Sequence, residues 1–149
     1  MLSRSNHGFT LIELLIAMAV IGILSSIILG SINTARGKSS DSKVKAQLSS
    51  LRSAAEGYFD ANGGTYGSSA SDDCLTSDFF SDAASGMLQA TTQDNYPADA
   101  TLSCHTDGSN YAVSALLIGA GGGQAWCVDS AGASKLIPNT LGAGVVICP

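Results

Sequence analysis

One carboxylate in this sequence is unusual because of its apolar surroundings. Glu13 is the only charged residue in the 24-residue run 9–32. A charge at the centre of a bilayer costs about 2.5–3.5 kcal/mol and is rarely kept without a partner. Glu13 is one helical turn into the run. It is therefore either a boundary carboxylate relieved by water and headgroups, or half of an ion pair.

Two other groups of residues could bind small ligands. The glycine-rich stretch 119–123 lacks the G-K-[ST] ending of a phosphate loop, so we expect a strand connection. An acidic cluster could hold calcium but lacks EF-hand spacing, so we expect solvated loop carboxylates and no metal site. Its members are Asp72, Asp73, Asp78 and Asp82.

A nucleophilic site is conceivable around Ser103, Cys104 and His105, with Asp107 nearby. The chain has only two histidines, which removes most routes to acid–base catalysis. We expect Cys104 to be disulfide-bonded in an exported chain, and a bonded cysteine is no nucleophile. The sequence therefore predicts neither an enzyme nor a cofactor.

The four cysteines all lie outside the first third of the chain, and none is spaced C-x-x-C. An even count in an exported chain is typical of two disulfides. Three connectivities are open. The cysteines are Cys74, Cys104, Cys127 and Cys148.

Charge is distributed unevenly along the chain. Six of the seven basic residues lie in the first 52 positions, and ten of the twelve acidic residues lie from Glu56 onward. The C-terminal part is therefore acidic, and we expect no specific nucleic-acid partner. Basic residues flank both ends of the apolar run, so charge alone leaves its membrane orientation ambiguous.

The apolar run is long enough for a membrane span. As a helix, 24 residues extend roughly 36 Å, more than the roughly 30 Å hydrocarbon core. A cleavable secretory signal would have a shorter core and a small-x-small site behind it. Five apolar residues then recur at steps of four and three, which predicts an amphipathic continuation packed on a core. They are Val44, Leu48, Leu51, Ala55 and Tyr58.

The remaining elements complete an α+β fold. We predict one long helix over residues 9–61, a mostly loop-like region 62–110 with a short helix at 76–88, and then a small antiparallel sheet of about four strands packed on the long helix. The predicted strands are 111–118, 124–129, 134–137 and 145–148.

The N-terminal residues resemble a known family. Gly8, Phe9 and Glu13, behind a basic leader and before a long apolar helix, are similar to the prepilin signature of the type IV pilin superfamily. The resemblance covers roughly residues 4–32. It implies a cut after Gly8 by a prepilin peptidase, N-methylation of Phe9, and the ladle-like pilin architecture. The chain would divide into a leader 1–8, a helix 9–61 with its assembly segment 9–32, and a globular head 62–149.

The resemblance also implies a function and its partners. The chain would be a single-pass protein of the cytoplasmic membrane that inner-membrane machinery assembles into an extracellular helical filament of identical subunits, for adhesion, motility or DNA uptake. The carboxylate of Glu13 would attract the amine of Phe9 in a neighbouring subunit. Such pilins often close their C-terminal region with a disulfide. We therefore prefer Cys127–Cys148 with Cys74–Cys104, whose loops are also short and local.

Two other functions stay open at this stage. A pseudopilin of a type II secretion system shares the N-terminal signature. Major pseudopilins usually carry a C-terminal calcium loop, whereas Asp129 is the only acidic residue in the last 42 positions of this chain. A membrane-anchored exported binding module is the other alternative, and it predicts an uncut terminus and no assembly.

Overall fold

The computed structural model describes residues 8–119 and 123–149. A long helix, α1, spans Leu11–Ala61. The chain divides into two compact units, Met1–Ala35 and Arg36–Pro149. Residues 1–7 of the predicted leader and residues 120–122 of the glycine-rich stretch lie outside the described residues.

The first unit consists, from Leu11 on, of the apolar part of α1. Its large hydrophobic side chains are exposed, from Phe9 at 83% and Leu11 at 78% through to Ile32 at 39%. By length and composition this helix could cross a membrane. The apolar run predicted from the sequence is therefore helical and presents its side chains outward.

The second unit begins with the amphipathic part of α1. The five predicted stripe residues, Val44, Leu48, Leu51, Ala55 and Tyr58, are all buried. The helix ends at Ala61, and the next turn carries Gly63 and Gly64 at positive φ. The N–H of Gly64 donates to the carbonyl of Phe59 at 2.9 Å, which satisfies one of the last helical carbonyls.

A five-stranded antiparallel sheet packs on this part of the helix, so the α+β fold is confirmed with one strand more than expected. Each strand pairs with the next along the chain, in the order β1-β2-β3-β4-β5. The strands are β1 Tyr66–Ser71, β2 Leu102–Gly108, β3 Tyr111–Leu116, β4 Ala125–Asp129 and β5 Ser134–Ile137.

The central strands of the sheet are buried on both faces, whereas the edge strands β1 and β5 are partly exposed. One face meets α1 across a core that includes Val113, Ala115 and Val128, and Tyr58, Tyr66, Phe79 and Tyr111 stack edge-on within it. The opposite face carries a smaller apolar cluster formed with the C-terminal segment, residues 138–149. Its members are Ala112, Ala125, Cys127, Ile137, Leu141 and Cys148.

Two of the predicted elements are wrong. Of the helix predicted over residues 76–88, residues 76–86 form turns instead, because side chains there bond nearby backbone groups: the N–H of Phe80 donates to Ser77 Oγ and that of Ser85 to Asp82. A one-turn helix, α2, follows at Met87–Thr91. Residues 145–148 are not a strand, because the N–H of Cys148 donates to the side-chain oxygen Oδ2 of Asp129 at 2.8 Å and not to a backbone carbonyl of a neighbouring strand.

Strands β1 and β2 lie in the region that the sequence predicts as loop. Ser and Gly dominate β1, which gives it little β propensity of its own. It is held by its neighbour: Thr106 Oγ1 on β2 donates to the carbonyl of Tyr66 at 2.8 Å. Tertiary pairing therefore decides the conformation of this segment.

Candidate functional site

The start of helix α1 is closed by a reciprocal pair of side chains. The N–H and the hydroxyl of Thr10 donate to Glu13 Oε2 at 2.9 and 2.8 Å, and the N–H of Glu13 donates back to Thr10 Oγ1 at 3.3 Å. This is the capping box, in which two otherwise unpaired helical N–H groups find partners. A carboxylate is also favoured at a helix N-terminus by the helix dipole.

Both hydrogen bonds from Thr10 end on the same oxygen of Glu13. In the part of the chain that the structure describes, Oε1 accepts no hydrogen bond. A carboxylate offers about four lone-pair sites over its two oxygens. Glu13 can therefore cap its own helix and still accept a proton donor from outside. The sequence itself contains the signal for this cap, T-x-x-E before an apolar run.

The predicted cleavage site lies immediately before this cap. Phe9 is 83% exposed, and a Cβ built on Gly8 would have nothing within 4 Å. Packing among the described residues therefore does not require glycine at position 8. The rest of the predicted leader, residues 1–7, lies outside the described residues.

The head carries two disulfides, Cys74–Cys104 and Cys127–Cys148, and has no free cysteine among the described residues. These are the two pairs preferred from the sequence. Cys148 makes its bridge from an irregular segment, and not from the predicted strand.

The residues suggested as a nucleophilic site have a different acidic partner in the structure. Ser103 Oγ is 2.7 Å from His105 Nε2, and His105 Nδ1 is 2.6 Å from Oδ1 of Asp72. Asp107, the acid expected from sequence proximity, instead accepts N–H bonds in the turn after β2. Asp72 is 33 residues from His105 in sequence, so local spacing could not have found it.

The four carboxylates of the predicted acidic cluster each accept hydrogen bonds from different groups. Asp73 accepts the N–H of Leu75 and Asp78 that of Ser68, both at 2.9 Å. The pKa of Asp72 is lowered, first by its hydrogen bond with His105 and then by the N–H of Gly144. In the described ranges, no group of three or more metal-binding side chains forms.

Trp126, the only tryptophan, lies half-buried beside helix α1. The ammonium of Lys45 is 4.5 Å from the centre of its ring, and the indole N–H donates to Ser134 Oγ at 3.2 Å. This side chain therefore packs against the helix and attaches β4 to β5.

Comparison with known proteins identifies the N-terminal segment. Residues 3–29 match the prokaryotic N-terminal methylation motif. The chain is 41% identical over 54 residues to a type IV major pilin protein, PilA, of Myxococcus xanthus (strain DK1622). That similarity covers 36% of this chain and 24% of the relative, so the matched part is about a quarter of the relative's length. No solved structure matches the chain significantly.

The matched segment contains Gly8, Phe9, Thr10 and Glu13, the residues that form the predicted cleavage site and the helix cap. The apolar helix and the α+β head agree with the architecture expected for such proteins. This chain therefore carries the prokaryotic N-terminal methylation motif over residues 3–29 and is similar, over 36% of its length, to a type IV major pilin protein.

Proposed function

We propose that this protein is a structural subunit of a type IV pilus. It polymerises through its apolar N-terminal helix into an extracellular filament and has no catalytic function of its own. One observation carries the proposal: the apolar run of the helix exposes a long apolar surface, and the one carboxylate in that run, Glu13, keeps Oε1 free of hydrogen bonds from the described residues.

Processing comes first. A prepilin peptidase cuts after Gly8, and the fresh amine of Phe9 is then methylated. A glycine lacks the Cβ that would obstruct close approach to the backbone. Packing among the described residues does not require Gly8, so we attribute the glycine at this position to recognition by the peptidase.

Before assembly the chain is a single-pass protein of the cytoplasmic membrane. Lipid tails are as apolar as leucine, so moving the helix from lipid into a helix bundle yields little hydrophobic free energy. Close packing and charge pairing must then direct the assembly. The amine of Phe9 in one subunit meets Oε1 of Glu13 in the next. A subunit out of register leaves a charge unpaired, at a cost of at least about 2.5 kcal/mol.

The proposal is tested on protein isolated from the cells that make it. N-terminal sequencing and intact mass should give a chain that begins at N-methylated Phe9. Electron microscopy of the sheared surface fraction should show filaments that react with antibody against this chain. A mature chain that still begins with Met1, or one never found in an oligomeric fibre, would overturn the proposal.

A further inference from the structure

Three segments that are distant in sequence meet at one buried histidine. His105, on β2, is only 3% exposed, and its Nδ1 is 2.6 Å from Oδ1 of Asp72, just after β1. Its Nε2 is 2.7 Å from Ser103 Oγ, two positions away on the same strand and hence on the same face of the sheet. Ser103 Oγ in turn donates to the carbonyl of Leu141 at 2.9 Å, in the C-terminal segment.

The C-terminal segment is attached to the sheet by further bonds from the same residues. The N–H of Gly144 donates to Asp72 Oδ1 at 2.8 Å, and the N–H of Leu141 donates to Ser114 Oγ at 2.9 Å. The side chain of Leu141 is buried in the apolar cluster on this face. The line from Asp72 through His105 and Ser103 to Leu141 therefore connects the first two strands to the end of the chain.

Counting protons along this line distinguishes the two charge states of the imidazole. Asp72 and the carbonyl of Leu141 are acceptors, and Ser103 has one proton to donate. If His105 carries protons on both nitrogens, Nδ1–H donates to Asp72, Nε2–H donates to Ser103 Oγ, and Ser103 donates to Leu141. If Nε2 has no proton, Ser103 must bond either the imidazole or the carbonyl. One buried acceptor is then unsatisfied.

We propose that Asp72, His105 and Ser103 form a proton-dependent latch, which holds the C-terminal segment on the sheet while His105 is an imidazolium. Because the carboxylate of Asp72 holds the proton on Nδ1, the proton that His105 loses is the one on Nε2, and its loss opens the latch at Leu141. The disulfide between Cys127 and Cys148 keeps the end of the segment attached, so the opening is local.

Asp72, His105 and Ser103 are linked in the same order as the acid, the histidine and the serine of a hydrolase triad. The serine hydroxyl, however, donates to a different acceptor. In such a triad the serine proton is directed at the histidine, which takes it as general base. Here Ser103 donates to a backbone carbonyl, and the imidazolium has no free nitrogen to accept a proton. The arrangement therefore serves attachment and not nucleophilic attack.

Among the described residues, one charged side chain bonds to His105. Asp72 is the ionisable group bonded to it, and its pKa lies below the ordinary value, first because of the bond with His105. From β2 itself the other contact is the neutral Ser103, β3 places Ala112 opposite His105, and the C-terminal segment contributes the neutral carbonyl of Leu141 through Ser103. Among the described residues, no cation bonds to this line.

Amide hydrogen exchange tests the latch in the full, uncleaved chain in detergent micelles. Exchange at the N–H groups of Leu141 and Gly144 is followed by NMR from about pH 5 to about pH 8, the range in which histidines titrate. After correction for the intrinsic pH dependence of exchange, we expect protection to fall about tenfold as the pH rises, the order expected for one lost hydrogen bond. Equal protection across this range would overturn the proposal.

Matched variants identify the titrating group. His105→Gln should give low protection at Leu141 with no pH dependence, whereas His7→Gln, which removes the other histidine, should leave the wild-type dependence intact. Persistence of the pH dependence in His105→Gln would refute the latch.

A second measurement needs no variant, in case His105→Gln does not fold. The ¹⁵N shifts of the two ring nitrogens of His105 report the protonation of each. Loss of the Nε2 proton and loss of protection at Leu141 should share one midpoint. Protection that survives deprotonation of the ring would also refute the proposal.

Discussion

The side chains of Thr10 and Glu13 hold each other at the start of helix α1, with both donors of Thr10 on Oε2 of Glu13 at 2.9 and 2.8 Å. This geometry separates two tasks within one carboxylate. Oε2 caps the helix of its own chain, and in the proposed filament Oε1 receives the amine of Phe9 from a neighbour. Substitutions that keep one task and remove the other can therefore distinguish them.

Replacing Glu13 with glutamine should abolish filaments and leave the helix cap in place. Glutamine also serves in a capping box, so the first turn stays closed while the charge is lost. We expect at least a tenfold loss of sheared surface filaments, because the amine of a neighbouring Phe9 is then unpaired in an apolar medium. Immunoblots of the sheared and membrane fractions measure both filaments and insertion.

Ile16→Val is the matched control for this variant. Ile16 lies in the same apolar segment and is exposed, and the change removes a single methylene without altering charge. Filament yield should stay close to wild type. Normal filaments from Glu13→Gln would contradict the charge-pairing mechanism, whereas loss of membrane insertion in that variant would make the filament result uninformative about pairing.

Thr10→Val tests the cap and leaves the charge in place. Valine has nearly the shape of threonine but no hydroxyl, so one hydrogen bond to Oε2 and the return bond from the N–H of Glu13 are lost. The loss of an N-cap costs about 1 kcal/mol. We expect filament yield to fall several-fold, with Thr10→Ser close to wild type because serine keeps the hydroxyl. Equal yields from the valine and serine variants would show that the cap has no part in assembly.

The sequence predicted helix α1 and its buried stripe correctly because the signal is local and periodic. Val44, Leu48, Leu51, Ala55 and Tyr58 recur at helical spacing, and all are buried as expected. No proline interrupts the helix before its end at Ala61. The strands β3, β4 and β5 were likewise found from β-prone runs between glycine-rich turns.

The first two strands were missed because their residues do not favour a strand by themselves. In β1, Gly67 and three serines hold strand geometry only because β2 pairs with them. Conversely, residues 145–148 are β-prone but form no strand, since the backbone there bonds Asp129. Neither partner can be identified without the tertiary structure.

The line of residues around His105 was beyond sequence reasoning for the same reason. Ser103 and His105 lie two residues apart in the sequence, and the acidic residue nearest to them there is Asp107. In the structure Asp107 accepts the backbone N–H of Asn110 in the hairpin turn. The carboxylate that contacts His105 is that of Asp72, which follows the neighbouring strand β1.

Gly119 is a position where a side chain cannot be accommodated. Its N–H donates to Asp41 Oδ1 at 2.9 Å, and a Cβ there would lie 2.5 Å from the carbonyl carbon of Gly37 on helix α1. Gly119→Ala must therefore displace backbone, which costs about 1–3 kcal/mol of folding free energy. Chemical unfolding of the full chain in detergent, followed by tryptophan fluorescence from Trp126, measures this loss.

Gly57→Ala is the control for the glycine substitution. Gly57 lies within helix α1, and a Cβ there would have nothing within 4 Å. Alanine in an unobstructed helical position should stabilise the chain by about 0.5–1 kcal/mol. Opposite signs for the two variants are expected. Stabilisation by Gly119→Ala would mean that the close approach to Gly37 does not exist in solution.

Asp107 should make the stability of the head depend on pH in the acidic range. Its Oδ1 accepts the N–H groups of Asn110 at 2.6 Å and Ser109 at 2.9 Å in the turn between β2 and β3, and these bonds lower its pKa, the Asn110 bond most. A depressed carboxyl pKa stabilises the fold above the unfolded value, and the contribution is lost as the pH falls through the folded value. Wild type should therefore be more stable than Asp107→Ala near neutral pH, and the gap in unfolding midpoint should close well below the ordinary value of 3.8. If the two proteins differed in unfolding midpoint by the same amount near neutral pH and well below pH 3.8, the charged form of Asp107 would not support the turn.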